Sequence, residues 1–147
     1  MTDIKTAAAA EDLRRVYPVM QELRPHLSEA QFVEQVQRQM REHGYILIYV
    51  EDEQGAPCAA AGFRRTEMLH WGKVLYIDDL VTAARDRAQG RAGHLFNHIV
   101  QYAREQKLDA VHLDSGTHSG RWDAHRFYHK RGMSITSYHF VLNLKTK

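Results

Sequence analysis

Apolar residues recur at helical spacing from Glu11 to Leu23, with Leu13, Val16, Val19, Met20 and Leu23 on one face. That period predicts an amphipathic helix, and Pro18 inside it predicts a kink or a break. Residues 2–7 ahead of it read as a short edge strand. Ser28 followed three residues later by Gln31 is a capping box. The helix behind it runs to about His43 with Phe32, Val36 and Met40 on one face, and Gly44 stops it. The period then changes. Tyr45–Glu51 is an apolar strand-type run, and Asp52–Gly55 supplies turn residues. Cys58–Arg65 and Lys73–Thr82 read as two further strands of an antiparallel meander. Gly90 to about Gln106 is helical, with Leu95, Phe96, Ile99, Val100 and Ala103 inward. Ala110–Leu113 is a short buried strand, and Asp123–Arg131 is a short helix closed by Gly132. Ile135–Leu144 reads as one or two closing strands. The order βααβββαβαβ(β) predicts an α/β or α+β domain on a mixed sheet.

No Pro/Gly/Ser-rich linker, repeat or low-complexity tract divides the 147 residues, so residues 1–147 read as one domain. Hydrophobic residues at 44% and charged residues at 26% are ordinary for a globular chain and argue against disorder. The net charge of +2 is too mild, and too scattered, to imply nucleic acid. The longest apolar run, Tyr45 to Val50, is far short of the roughly 20 residues a membrane span needs. Asp3 and the lack of a basic-then-apolar opening argue against a signal peptide. The single Cys58 excludes an intrachain disulfide and any multi-cysteine zinc site, and it fits a reducing cytoplasm.

The most informative stretch joins the strand Tyr76–Thr82 to the helix through Arg87-Ala-Gln-Gly-Arg-Ala-Gly93. Gly90, Ala92 and Gly93 put small residues at the helix start, where a ligand can approach the backbone closely. The first N–H groups of a helix have no internal partner and carry the positive end of the dipole, a geometry that binds phosphate. Arg85, Arg87 and Arg91 add positive charge. The stretch lacks the Gly-Lys-Ser/Thr of a Walker loop and the Gly-x-Gly-x-x-Gly of a dinucleotide fold. A plain strand–helix turn accounts for the same residues.

Arg87-x-x-Gly90-x-Ala92 resembles the acetyl-CoA signature of the GNAT superfamily of N-acetyltransferases. The downstream Ala124-His-Arg-Phe-Tyr128-x-x-x-Gly132-Met133 is similar to a second motif of that family, and the element order matches over nearly the whole chain. The resemblance implies a GNAT-like, mostly antiparallel mixed sheet, splayed at its middle strands and flanked by about four helices. It also implies acetyl-CoA as cosubstrate. Contacts would come from Leu80, Val81 and Thr82, then Arg87, Ala88, Gln89, Gly90, Arg91, Ala92, Gly93 and His94, with Arg121 and Ala124 from the second motif. Many relatives carry asparagine where this chain has Arg121.

Acetyl transfer to an amine needs a base for the ammonium proton, donors for the thioester oxygen and a proton for the leaving thiolate. Asp78 and Asp79 are adjacent in a strand and so are expected on opposite faces. The resemblance favours Asp78 as base, since many relatives have a carboxylate nine residues before the signature arginine. Asp79, a relayed water, or simple ion pairing of either aspartate stay open. The resemblance makes Tyr128 the general acid, and a packed core tyrosine is the bland alternative. The pairs His94/His98 and His125/His129 have i, i+4 spacing but no companion carboxylate at a hydrolase spacing, so no metal is expected. The acceptor is expected over the two N-terminal helices and the loop Ser115–Trp122. It is a small-molecule or protein amine, with Arg64, Arg65 and Arg121 open to an anionic one. A non-catalytic acyl-CoA-binding or sensing module is the competing class. Ile135–Leu144 could pair across a homodimer, since edge strands invite augmentation.

Overall fold

Five strands line up in chain order as one sheet: β1 (Lys5–Thr6), β2 (Ile46–Glu51), β3 (Pro57–Met68), β4 (Gly72–Thr82) and β5 (Ala110–Leu113). The computed structural model describes residues 3–145, so Thr2 of the expected edge strand lies outside them. Neighbours from β1 to β4 are antiparallel, and β5 runs parallel to β4. Four helices complete the set: α1 (Ala10–Leu23), α2 (Glu29–His43), α3 (Arg91–Glu105) and α4 (Trp122–Lys130). The chain divides into two compact units, Met1–Leu113 and Asp114–Lys147.

The first unit is layered. Leu13, Val16, Val19 and Met20 of α1 and Phe32 and Val36 of α2 share one buried cluster with Tyr45, Leu47, Tyr49 and Ala60 of the sheet. Leu95, Phe96, Ile99 and Ala103 form the buried stripe of α3, and Tyr102 meets Phe63 with ring centroids 5.5 Å apart. Both sheet faces are therefore covered, which is why β2 reads as a continuous apolar run rather than an alternating one. The small residues Cys58-Ala-Ala-Ala of β3 are fully buried at the centre.

Local signals set the helix ends. Ser28 accepts from the Gln31 N–H at 3.2 Å while its own N–H donates to Gln31 Oε1 at 2.9 Å. Gly44 closes α2 in the left-handed region at φ +65°. Of the kink or break expected at Pro18, the break does not occur, and α1 is continuous through it. An interior proline costs about 3 kcal/mol. Four buried apolar side chains at roughly 1.5–3 kcal/mol each offset that cost.

The β3–β4 hairpin is longer than its apolar core suggests, reaching Met68 and Gly72 at its tip. Pairing between β4 and β5 covers only Val74–Ile77 against Ala110–Leu113. Beyond Ile77, β4 keeps β3 on one side and has no strand partner on the other among the described residues. The sheet opens there.

The second unit holds a short 3-10 turn (Ser119–Arg121), α4 and a C-terminal segment. Gly132 follows α4 at φ +87°, where a glycine is favoured. The strands expected over Ile135–Leu144 do not form, and residues 133–144 carry no ladder pairing. Tyr138, Phe140, Leu142 and Leu144 of that segment are 84–92% exposed. No described helix is long and apolar enough to cross a membrane.

Candidate functional site

β4 positions most of the candidate chemistry. β3 and β4 pair Gly62 with Asp79 but Phe63 with Ile77, so Asp78 is an extra residue bulged out of β4. A bulge interrupts the alternation of side chains and re-aims them. The expectation that Asp78 and Asp79 face opposite ways therefore fails. Both line one cavity of about 450 Å³, together with Arg24 and Met20 of the α1 end, Phe32, Gln35 and Val36 of α2, and Tyr45 and Tyr76.

Each carboxylate in that cavity is held by a guanidinium. Arg64 donates to Asp78 Oδ1 from Nε at 3.0 Å and to Oδ2 from Nη2. Arg24 donates from Nε to Asp79 Oδ1 at 2.9 Å and from Nη2 to the Asp78 carbonyl at 3.0 Å. The Tyr45 hydroxyl donates to Asp79 Oδ2 at 2.6 Å. Two carboxylates facing two guanidiniums leave the wall close to neutral. Burial raises the Asp78 carboxyl above its ordinary range, while the Arg64 pairing pulls the other way. Burial, with the Asp79 charge alongside, pushes the Tyr45 phenol well above its ordinary value. The Tyr45 hydroxyl occupies the space a side chain at position 62 would need, since a Cβ on Gly62 would lie 1.7 Å from it.

Arg24 and Tyr45 are site residues that sequence reasoning missed. Arg24 is the C-terminal cap of α1, and its partners lie 54 and 55 positions away. No local pattern announces such a reach. The Gly62 of the small-residue run was the one available hint that something packs closely against β3.

Leu80, Val81 and Thr82 pair with Ala61, Ala60 and Ala59 on one side and line the open edge of the sheet on the other. The chain then makes a 3-10 turn at Ala84–Asp86. Ala88 adopts φ +67° and Gly90, the N-cap of α3, φ +76°. The cap carries no side-chain hydrogen bond. The first-turn N–H groups of α3, on Arg91, Ala92 and Gly93, are thus left without helical acceptors. Ala88 in the left-handed region stores strain that concentrates at functional turns.

The three arginines of this turn divide. Arg85 lies 3.3 Å from Asp52 and 3.2 Å from Asp86, and Arg91 lies 3.7 Å from Asp86. Those two brace the loop. Arg87 is exposed and forms no ion pair among the described residues, so its charge is available to an anion. Gln89 is exposed too, and His94 is half-buried in the first turn of α3. The residues present fit a pyrophosphate: free backbone donors at a helix start, small side chains and one uncommitted guanidinium.

Cys58 is fully buried beneath this loop, where burial raises its thiol pKa and its Sγ lies 3.6 Å from the Val50 carbonyl.

In the second unit, α4 carries Ala124 and Tyr128, and Arg121 caps its start. His125 Nε2 lies 2.8 Å from the Gly116 carbonyl and ties the preceding loop to the helix. The Arg131 guanidinium stacks 3.7 Å over the Phe127 ring, and Phe127 meets Tyr128 edge-on at 5.6 Å. Burial raises the Tyr128 phenol, with Arg121 opposing, so the hydroxyl keeps its proton at neutral pH. Among the described residues no group of three His, Cys, Asp or Glu is arranged to hold a metal.

Comparison with known proteins bears on this arrangement. The model of the acetyltransferase (GNAT) family matches residues 7–133. The uncharacterized N-acetyltransferase YhdJ of Bacillus subtilis is 32% identical over 141 residues, covering 95% of this chain and 97% of that one. An acetyltransferase of Trypanosoma brucei has a TM-score of 0.78 at 19% identity, covering 98% of this chain and 100% of that one. Glucosamine-6-phosphate N-acetyltransferase of Arabidopsis thaliana has a TM-score of 0.76 at 17% identity, with 99% of each chain covered. At those identities the two structures share the fold.

Proposed function

The chain belongs to the GNAT family of acetyltransferases, and from that premise we propose that it moves the acetyl group of acetyl-CoA to a primary amine. The acceptor is a small molecule or a protein amine, and residues 1–147 act as one such domain. The observation that carries this reading is the course of β4. Its bulge presents Asp78 and Asp79 to a cavity of about 450 Å³, and its end leads along an open sheet edge into the donor-rich start of α3.

In this reading the pyrophosphate of acetyl-CoA rests on the N–H groups of Arg91, Ala92 and Gly93 with Arg87 beside it. The pantetheine arm pairs with the free backbone of Leu80–Thr82. The amine enters the cavity among Phe32, Gln35, Tyr76 and the two aspartates. Asp78 accepts the ammonium proton directly or through water; its carboxylate is fixed by Arg64, and each oxygen keeps a further lone pair. The nitrogen attacks the thioester carbon, the C–N bond forms, and the C–S bond breaks. The departing sulfur takes a proton from the Tyr128 hydroxyl, and the second proton that the nitrogen loses as the amide forms restores the phenol through solvent. Cys58 takes no part, because a buried thiol of raised pKa is a poor nucleophile.

A panel of primary amines mixed with acetyl-CoA and the protein tests this by thiol release. At least one class should release CoA with matching N-acetyl product by mass spectrometry. Acetyl-CoA binding with no release across alkyl, amino-acid, amino-sugar and peptide amines would support a non-catalytic acyl-CoA-binding module instead.

A further inference from the structure

The cavity beside the β4 bulge has a wall that the proton chemistry does not use. Gln35 and Gln39 stand one turn apart on α2, and both line the cavity. Gln35 Nε2 donates to Gln39 Oε1 at 2.9 Å, and neither side-chain amide has another hydrogen bond among the described residues. The pairing uses one donor hydrogen and one acceptor lone pair. It leaves the Gln35 oxygen as an open acceptor and the Gln39 nitrogen as an open donor. Turning both amides over exchanges these roles and still leaves one group of each kind.

The ionic groups of the cavity come from other elements. Arg24 caps α1, Asp78 and Asp79 belong to β4, and each carboxylate is already held by a guanidinium. His26 of the lining lies between α1 and α2. From α2 itself the lining takes Phe32, Gln35, Val36 and Gln39, and no charged side chain. That helix therefore offers a ligand an apolar stretch and a neutral amide pair.

A ligand group that both donates and accepts satisfies the pair without breaking it, and a carboxamide does so. A carboxylate only accepts. It would set its lone pairs against the open glutamine oxygen, with no cation from α2 to neutralise it.

We propose that the acceptor is an amino amide, an amine whose apolar body carries an uncharged carboxamide, and that Gln35 and Gln39 select it over an amine that carries a carboxylate. The proposal rests on the acetyl-transfer reading in one respect, that this cavity receives the amine.

The probes are para-(aminomethyl)benzamide, para-(aminomethyl)benzoate and para-methylbenzylamine. They share the amine and the ring and differ in the group at the far end. Titration calorimetry gives their affinities, and thiol release from acetyl-CoA gives their turnover, both at about pH 8, where free imidazole is uncharged. The benzamide should bind about tenfold or more tighter than either of the others, and its kcat/KM should lead by a similar factor, since unmatched polar groups in a site cost at least that much. Gln35→Leu with Gln39→Leu should erase the lead over para-methylbenzylamine while leaving that compound bound. Gln39→Lys should move the benzamide-to-benzoate ratio about tenfold or more toward the benzoate, because a hydrogen bond between charged groups replaces a mismatch.

A benzamide that leads in binding while none of the three releases thiol supports the assignment of the glutamines and contradicts the acetyl-transfer reading. Thiol release with the benzoate or para-methylbenzylamine equal or ahead overturns the assignment and leaves that reading standing. Absence of benzamide binding overturns the assignment, as does a lead that survives the double leucine substitution. If the variants do not fold, the ranking of the three compounds by the unmodified protein decides the matter alone.

Discussion

Tyr128 and Asp78 divide the proposed proton chemistry, and each has a substitution that keeps its shape. Tyr128→Phe keeps the ring and removes the hydroxyl. General acid catalysis is worth about 10²–10⁴-fold, so kcat should fall by that much with acetyl-CoA affinity little changed. Turnover within about threefold of the parent would make the tyrosine structural, since that is below the general-acid range. Asp78→Asn removes basicity and keeps size. It should slow the reaction most at neutral pH and least at high pH, where the amine is already deprotonated. A flat response would move the base role to Asp79, a histidine or a bound water. The same scale shows where sequence reading reaches its limit. Adjacent strand residues point opposite ways unless a bulge intervenes, and no residue type in Ile77-Asp-Asp-Leu80 announces one. Arg24 and Tyr45 were illegible for a related reason. Their partners on β4 lie more than thirty positions away, and only the folded sheet brings them together. Gly62 is the exception, because its missing side chain is what admits the Tyr45 hydroxyl. Gly62→Ala should destabilise the fold by about 1–3 kcal/mol, as overpacking in a filled site does. Denaturant unfolding measures this, and an unchanged midpoint would mean that Tyr45 is not seated over β3.

Among the elements, those with strong local signals are the ones the sequence predicts well. The Ser28–Gln31 box and Gly44 mark both ends of α2, and the 3.6-residue period of α3 marks its buried stripe. At Pro18 the sequence leaves a kink or a break open, and the break does not occur, because a rule about one missing hydrogen bond says nothing about the core holding the helix on both sides. Ile135–Leu144 has the right pattern for a strand, but a strand exists only with a partner, and the partner is not in the local sequence. The Tyr45 phenol ties one element to another and gives a pH signature. Its folded pKa lies above the unfolded value of about 10, so the stability it contributes is present below pH ~10 and is lost as pH rises past that value. Thermal unfolding followed through the alkaline range should show a falling Tm there, and Tyr45→Phe should flatten that fall. An equal alkaline slope in the two proteins would show that another group governs it.

For the whole molecule, the charge balance and single cysteine narrow the field without choosing a function. The choice comes from two motifs, Arg87-x-x-Gly90-x-Ala92 and Ala124–Met133, in the order and on the elements that the GNAT resemblance implies. The family match over residues 7–133 agrees with them. Neither motif specifies the acceptor, because the cavity walls come from α1, α2 and the bulge of β4, where chemistry depends on tertiary contacts. A wall in which Arg24 and Arg64 neutralise Asp79 and Asp78 has little net attraction for a polycation. Spermidine-like acceptors should therefore be poorer substrates, by kcat/KM, than monoamines of similar size. A preference for polyamines in the amine panel would contradict that reading of the cavity.

Acetyl-CoA binding to the start of α3 is measured most directly by titration calorimetry on the unmodified protein and on Gly90→Glu. Glutamate there places bulk and negative charge where the pyrophosphate is proposed to lie. In a left-handed position a side chain costs about 1–2 kcal/mol, which a chain of this size survives. The unmodified protein should bind acetyl-CoA with one site per chain, and Gly90→Glu should show no binding while its circular dichroism and unfolding remain cooperative. Unchanged affinity in a folded Gly90→Glu protein would contradict the placement of the cosubstrate at this turn.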